Sequence, residues 1–376
     1  MRVSVVVPFH RNLLHLERCL EALAASSVRS EVIVVADSAL DDPGDLAARY
    51  GARVIRLTGG PDGPATARNR GAAMATGDVL AFVDSDVLVH SDALAGLTAV
   101  LEPDPAVAAV FGAYDDTPDD PGFVSQCKNL AHSYIHRRSS ADATTFWAGL
   151  GAVRAVAFRD VGGFDERFRR PSVEDIDLGY RLTMAGYRIR LDAAVHGTHL
   201  TRWTAWSLIR TDVRDRGVPW TQLLHRYTNL RSDLNLTWKY RWIVALSYVA
   251  VLLLVAAVRW PSLLALSLVS LAVIAWLDRD YYLFLARMRG AMAAVAWFPL
   301  HLIHHLGNGV SFAAGTALGV VADRPIGRRL GALPATPWGR HDALPVGQTC
   351  GDKPHSGHLL EQPLCARDAA QPRIDA

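Results

Sequence analysis

The sequence has few cysteines and almost no net charge. Only 4 of its 376 residues are cysteine, and none of them shows the spacing of a metal site: Cys19, Cys127, Cys350 and Cys365. This scatter indicates a reducing compartment and argues against a disulfide scaffold. The formal net charge of +2 provides no bulk attraction for nucleic acid, so no nucleic-acid partner is expected.

Two further patterns are missing from the start of the chain. The apolar run at residues 3–7 is too short for a signal peptide, and Pro8 and His10 interrupt it. No Gly-x-Gly-x-x-Gly follows that run, which makes a dinucleotide-binding dehydrogenase a poor candidate. We therefore expect a domain that stays in the cytoplasm and uses another chemistry.

The first 205 residues do contain an alternation of apolar runs and amphipathic stretches. Strands are predicted at residues 3–7, 31–35, 52–57, 79–83 and 107–111. Helices are predicted after Asn12, which can cap the first of them, and at residues 65–75. This order predicts an α/β domain with a parallel-rich sheet and helices on both faces.

The run at residues 79–83 ends in two carboxylates, Asp84 and Asp86. Ligands of open α/β sheets bind at the carboxyl ends of the strands. Carboxylate oxygens at such an end suit Mg²⁺ or Mn²⁺ carrying a diphosphate. The same residues also fit a solvated turn, so other motifs have to decide between the two interpretations.

Three other positions can carry chemistry, and each has a structural alternative. Asp37 follows the second strand, where it can reach a base or ribose or form an Asx turn. Arg68 precedes the carboxylate pair and can contact a phosphate or hold an aspartate, although an exposed helix arginine is commoner. Glu174 and Asp175 begin a predicted helix, where carboxylates are ordinary partners of the helix dipole.

Six short motifs resemble, in order and spacing, those of the family 2 glycosyltransferases over residues 3–205. They are VSVVVP at 3–8, EVIVV with the following Asp37, ARNRG at 67–71, GDV leading to Asp84-Ser85-Asp86, VGGFDE at 161–166 and EDIDLGYRL at 174–182. The resemblance implies the GT-A nucleotide-diphospho-sugar transferase fold. It also implies inverting transfer from a nucleotide-diphospho-sugar with Mg²⁺ or Mn²⁺.

The resemblance also implies a role for each candidate residue. Those on the donor side are Pro8, Asp37, Arg68, Asp84, Asp86 and Arg202. Those on the acceptor side are Trp147, Gly149 and Trp203. Asp86 would bind the metal directly, with Asp84 in the metal or ribose shell. Asp175 would be the general base that takes the proton of the acceptor hydroxyl, and Glu174 would position it.

Two positions depart from the family pattern. Ala36 stands where many members carry the first of two acidic residues, although Asp37 keeps the second. His199 replaces the glutamine of the Gln-x-x-Arg-Trp motif that processive members carry, which counts against a processive polysaccharide synthase. That synthase stays the nearest alternative, and a non-catalytic membrane scaffold with the same fold is the next.

The composition changes after residue 205. Seven Arg and Lys residues interleave with Trp at 206–241, which favours amphipathic interfacial helices over a nucleic-acid site. Residues 242–322 predict a transmembrane segment of two to four helices, including a hairpin made by 242–258 and 262–277. Residues 323–376 are polar and aperiodic, which predicts a disordered tail.

The last apolar stretch, at residues 291–322, leaves its topology open. Pro299 and the glycines at 307 and 309 predict breaks in it, so one long span and a re-entrant hairpin are both possible. His301, His304 and His305 fit a lipid-phosphate contact or an interfacial position, and no metal site is predicted there. The pattern indicates a multi-pass protein of the inner (cytoplasmic) membrane, acting on a lipid or lipid-linked acceptor of a cell-envelope polysaccharide.

Overall fold

A mixed β-sheet forms the centre of the protein. The computed structural model describes residues 1–227 and 237–322. Within these ranges the strands are β1 (Val3–Phe9), β2 (Ser30–Asp37), β3 (Arg53–Leu57), β4 (Val79–Val83), β5 (Val87–Val89), β6 (Val107–Tyr114), β7 (Asp142–Ala143), β8 (Leu150–Arg154) and β9 (Arg188–His199). Their order is β3-β2-β1-β4-β8-β6-β9-β5, and β7 pairs with β9.

The directions of the strands bring several strand ends to one side. β1 to β4 are parallel, as the sequence predicts. β8 runs antiparallel between β4 and β6, and β6 is parallel to β9. The carboxyl ends of β1, β2, β4, β6 and β9 therefore lie on the same side, together with the amino end of β8. We call this side the carboxyl edge.

Helices cover both faces of the sheet. They are α1 (Leu13–Ala24), α2 (Gly44–Arg49), α3 (Pro64–Met74), α4 (Ala93–Leu101), α5 (Phe123–Arg138), α6 (Ala155–Asp160) and α7 (Glu174–Met184). Successive side chains of a strand point to opposite faces. Val5 and Val7 accordingly join the apolar core under α1 and α4, and Val6 joins the core under α3 and α7. Asn12 caps α1, as predicted, by accepting the His15 backbone N–H at 3.2 Å.

The chain continues into a second group of helices. They are α8 (Ala205–Arg210), a π-helix (Thr211–Gly217), α9 (Val218–Arg226), α10 (Trp238–Ala256), α11 (Leu263–Leu277), α12 (Arg279–Arg289) and α13 (Ala291–Ala322). Apolar side chains of α5, α8, α12 and α13 form one buried cluster, which includes Leu130, Leu208 and Leu285. The C-terminal helices therefore pack directly against the sheet domain.

The predicted breaks in the last apolar stretch are wrong, because α13 is one continuous helix of 32 residues with Pro299 inside it. A proline removes one helix hydrogen bond, which packing against neighbouring helices can offset. The glycines admit close neighbours instead of ending the helix. A Cβ on Gly307 would lie 2.7 Å from the side chain of Val213, and one on Gly309 would collide with the ring of Tyr248.

The predicted membrane segment stays a prediction, and the helices in it differ in length and composition. In the described ranges, α10 is the one helix that is long and apolar enough to cross a membrane, judged by length and composition. Only 17% of its most apolar 18-residue stretch is buried. α11 is also apolar but has 15 residues. α10 begins at Trp238, within the range 206–241, and the interfacial position of that range stays a prediction. Residues 228–236 and the predicted tail at 323–376 lie outside the described ranges.

Gly179 provides a test of how α7 is seated. A Cβ on Gly179 would lie 2.6 Å from the carbonyl carbon of Thr145, in the segment before β8. Gly179→Ala should lower the free energy of unfolding by about 1–3 kcal/mol, because the backbone must move to relieve the overlap. Thermal unfolding of the purified full chain in detergent measures the effect.

Gly319→Ala is the matched control for this substitution. The nearest atom to a Cβ there belongs to His225 and is 3.7 Å away, which is ordinary contact. Alanine in a helix interior is favoured over glycine by about 1 kcal/mol, so this variant should unfold at the same temperature or slightly higher. A Gly179→Ala protein as stable as the unchanged chain would contradict the seating of α7.

Candidate active site

Arg68 connects the two groups of predicted carboxylates at the carboxyl edge. Its side chain is 5% exposed, with Nη2 2.6 Å from Asp84 Oδ1 and Nη1 2.7 Å from Glu174 Oε1. The commoner alternative of an exposed helix arginine is therefore wrong. The geometry matches the prediction that Arg68 holds an aspartate, and a contact with the donor stays a prediction.

The sequence of α3 explains how an arginine becomes buried at this position. Its small residues let the helix lie close to β1 and β2, and a Cβ on Gly71 would overlap the side chain of Val6. The guanidinium lies 5.4 Å from the centre of the Phe164 ring. The neighbouring Asn69 side chain accepts the Phe164 backbone N–H and donates to the Phe164 carbonyl, both at 2.9 Å. α3 therefore fixes the loop that leads to α7.

Asp175 has the environment that a general base requires. Its carboxylate accepts the Ala148 N–H at 3.1 Å and the Ile176 N–H at 2.8 Å, and it is half-buried. Burial, together with the neighbouring charge of Glu174, raises the pKa of Asp175 to about 7. A carboxylate with such a pKa can accept a proton efficiently near neutral pH.

His199 lies beside Asp86, a position that the motif comparison did not predict. Its Nε2 lies 3.5 Å from Asp86 Oδ2, and its Nδ1 is 2.8 Å from Asn129 Oδ1. The ring stacks on Tyr114 with centroids 4.4 Å apart. Because Nδ1 faces Asn129, Nε2 is the ring nitrogen that faces Asp86. The signal was present in the motif, where a metal-binding residue type replaces glutamine.

The donor atoms around Asp86 fit a divalent metal ion. Burial opposes ionisation of Asp86, but the neighbouring His199 and the hydroxyl of Thr201 hold its pKa below the usual range. Oδ1 of Asp84 is occupied by Arg68, which leaves its second oxygen available. Asp86, His199 and the free oxygen of Asp84 are therefore the residues that would hold such an ion.

The two predicted donor residues at β1 and β2 frame the other end of the carboxyl edge. Pro8 is half-buried and lies opposite Val35 in the sheet. Both carboxylate oxygens of Asp37 accept backbone N–H groups, from Asp62 at 3.0 Å and from Gly63 at 2.7 Å. Asp37 thus anchors the glycine-rich loop that follows β3, and its contact with a base stays a prediction.

The predicted acceptor residues lie in two places. Trp147 packs edge-on against Tyr114 at the carboxyl edge, and Gly149 accepts the Asp84 N–H at 3.2 Å. A Cβ on Gly149 would lie 2.6 Å from the Trp147 ring, which explains the glycine. Trp203 is instead half-buried in the cluster beneath α5 and the C-terminal helices, with Lys128 5.8 Å from its ring.

Arg202, the remaining predicted donor residue, has an exposed side chain. It forms no ion pair with any residue of the described ranges. Arg202 follows Thr201, whose hydroxyl donates to Asp86, so its backbone lies beside the carboxylates while its side chain points to solvent.

Replacing Arg68 tests its role as the link between the carboxylates. Arg68→Met should lower the free energy of unfolding by about 3–5 kcal/mol, because Asp84 and Glu174 lose their buried counter-ion. Arg70→Met is the matched control, since Arg70 lies on the same helix with an exposed side chain. Thermal unfolding midpoints that fall equally for both variants would contradict this role.

Comparisons with known proteins agree with the geometry. Residues 4–162 match the model of glycosyl transferase family 2. A pre-mycofactocin glycosyltransferase of Mycobacterium tuberculosis is 33% identical over 217 residues, which cover 54% of this chain and 44% of that protein. A validoxylamine A glucosyltransferase of Streptomyces hygroscopicus subsp. jinggangensis is 29% identical over 220 residues, covering 49% of this chain and 52% of that protein. The chain spans about half the length of these curated relatives.

The architecture also has a counterpart among solved structures. The mannosyltransferase PcManGT from Pyrobaculum calidifontis, solved in complex with GDP-Man and Mn²⁺, superposes with a TM-score of 0.50. The alignment covers 86% of this chain and 88% of that one, at 17% sequence identity, and shows a shared fold. Residues 4–162 are therefore similar to glycosyltransferase family 2, and the chain has the GT-A fold that its motifs predict.

Proposed function

We propose that this protein transfers a sugar, with inversion, from a nucleotide-diphospho-sugar to a hydroxyl of a lipid or lipid-linked glycan. The observation that carries the proposal is the link through Arg68, which holds Asp84 and Glu174 together and leaves Asp175 beside them. Donor-side and acceptor-side carboxylates are thereby fixed around one space at the carboxyl edge. The named relatives, which are glycosyltransferases, support the same reaction class.

The residues of the chain supply a base and its support. Asp175 takes the proton of the acceptor hydroxyl as that oxygen attacks the anomeric carbon. Glu174, held by Arg68 and by the Ser172 N–H at 2.9 Å, keeps Asp175 at the start of α7. A single direct displacement inverts the anomeric centre and needs no enzyme nucleophile.

Asp86 and His199 would hold Mg²⁺ or Mn²⁺ on the donor side. When bound, the ion neutralises the charge that develops on the departing diphosphate. The Mn²⁺ in the Pyrobaculum complex supports Mn²⁺ as the first ion to test. The replacement of glutamine by a histidine that faces Asp86 supports single transfer over processive synthesis.

A membrane location would bring a lipid acceptor to this edge. α10 has 19 residues and is thus roughly 28 Å long, close to the hydrocarbon thickness of a bilayer. α10 and α11 form a hairpin that exposes large apolar side chains, among them Leu252, Val255, Leu266, Leu268 and Val269. Trp242 and Trp276 lie near one end of the hairpin and Trp260 at the other, as in interfacial aromatic belts. We propose that the hairpin spans the inner membrane, with the catalytic domain in the cytoplasm.

Substitution of the proposed base and metal ligand tests the reaction. With Mn²⁺ and a panel of UDP- and GDP-sugars, Asp175→Asn and Asp86→Ala should reduce nucleoside-diphosphate release by about 10²–10⁴-fold. Asp92→Asn, which changes an exposed carboxylate beyond β5, should leave release unchanged. Full turnover by Asp175→Asn would exclude it as the base.

The pH dependence of the initial rate tests the state of Asp175. Only the ionised carboxylate accepts a proton, so the rate should rise with pH through about 7, the raised pKa of Asp175, and level off above it. Glu174→Gln removes the negative charge that helps raise this pKa. The pH at which the residual rate of this variant rises should therefore be lower than in the unchanged chain. A flat profile across this region, or an unshifted one in Glu174→Gln, would be inconsistent with the assignment.

A further inference from the structure

We propose a Zn²⁺ site formed by Asp278, His301 and His305, outside the carboxylate site. One ligand atom from each of the three side chains lies within 4.8 Å of the others. Asp278 and His305 are fully buried, at 1% and 2% exposure, and His301 is half-buried. The site lies where α12 begins and where α13 passes it, and it does not depend on the proposed transfer reaction.

The strongest sign of a missing partner is His305. Among the residues that the structure describes, neither of its ring nitrogens has a hydrogen-bond partner, although the side chain is buried. Nε2 lies 3.8 Å from Asp278 Oδ2, which is too long for a hydrogen bond. Buried polar groups are nearly always satisfied. A cation between these two atoms satisfies both.

The types and spacing of the three residues suit zinc. His301 and His305 are four residues apart on α13 and therefore share one face of the helix, with ring centroids 4.3 Å apart. Two imidazoles and one carboxylate, with a fourth position for water, are a common zinc ligand set. Tetrahedral ligands about 2.0 Å from zinc lie about 3.3 Å from one another, so ligand atoms up to 4.8 Å apart have to approach by at most about 1.5 Å, which side-chain rotation can provide.

Two of the ligands already have the outer contacts that metal ligands usually show. The Tyr282 hydroxyl lies 2.8 Å from His301 Nδ1, which leaves Nε2 to face the metal. Lys239 Nζ lies 2.7 Å from Asp278 Oδ1, which leaves Oδ2 on the side of His305. Such contacts orient the ligands and tune their affinity.

The neighbouring histidine of α13 has a different role. His304 Nδ1 lies 2.7 Å from Asp212 Oδ2, and Asp212 also accepts both hydrogen bonds of Lys128. His304 is therefore committed to the ion-paired Asp212 of the π-helix and is not a ligand. The zinc ion would instead join α12 to α13 and, through Lys239, to the first turn of α10.

Metal analysis of the purified full chain tests the site. After equilibration with Zn²⁺ and removal of free ion, we expect about one tightly held Zn²⁺ per chain, in the unchanged protein and in Asp86→Ala alike. His305→Ala and Asp278→Asn should each reduce the retained Zn²⁺ by about tenfold or more. His304→Ala, the matched control on the same helix, should retain it. No bound Zn²⁺ in the unchanged chain, or full retention in both ligand variants, would overturn the proposal.

A second measurement avoids variants that fail to fold. In the Asp86→Ala protein, which lacks the proposed donor-side ligand, Zn²⁺ should raise the thermal unfolding midpoint above that in EDTA, and Mg²⁺ should not. Co²⁺ bound in place of Zn²⁺ should give the visible absorption of a tetrahedral site. Identical midpoints in Zn²⁺ and EDTA would overturn the proposal, whatever the activity of the protein.

Discussion

The buried guanidinium of Arg68 is the interaction on which the catalytic edge depends. Charges removed from water must be paired, and Arg68 pairs with Asp84 at the end of β4 and with Glu174 at the start of α7. Burial and the neighbouring charge of Glu174 raise the pKa of Asp175, which has no cationic hydrogen-bond partner among the described residues. One ion-pair network thus sets the position of the proposed base and also its chemistry.

The C-terminal helices complete this arrangement. Lys128 on α5 binds both oxygens of Asp212 in the π-helix at 2.7 Å, which forms a buried ion pair between the sheet domain and the following helices. Behind the site, the Tyr227 hydroxyl donates to Asp177 of α7 at 2.9 Å. The proposed membrane hairpin therefore follows helices that brace α7, so an acceptor held at the bilayer surface would meet a preformed site.

Much of the sheet domain could be predicted from the sequence because its signals are local. Strand periodicity, the Asn12 cap and the carboxylates after β4 are all set by neighbouring residues. The pairing of Arg68 with Glu174 was not predictable, since Glu174 is 106 positions away and only the fold brings the two together. His199 was missed because the motif was judged by the glutamine it lacks. The predicted breaks in α13 were wrong because they were inferred from the low helix propensity of glycine, which is a local property. The glycines of α13 instead leave room for the side chains of neighbouring helices.

The central claim is that Asp84 and Glu174 act as one unit through Arg68, and a double-mutant cycle tests it most directly. Thermal unfolding of Asp84→Asn, Glu174→Gln and the double variant gives the coupling between the two positions. Residues that share one network show coupling energies of about 0.5–3 kcal/mol, and we expect a value in this range, with the double variant differing from the sum of the single ones. Losses that add within about 0.3 kcal/mol would show independent sites and contradict the account.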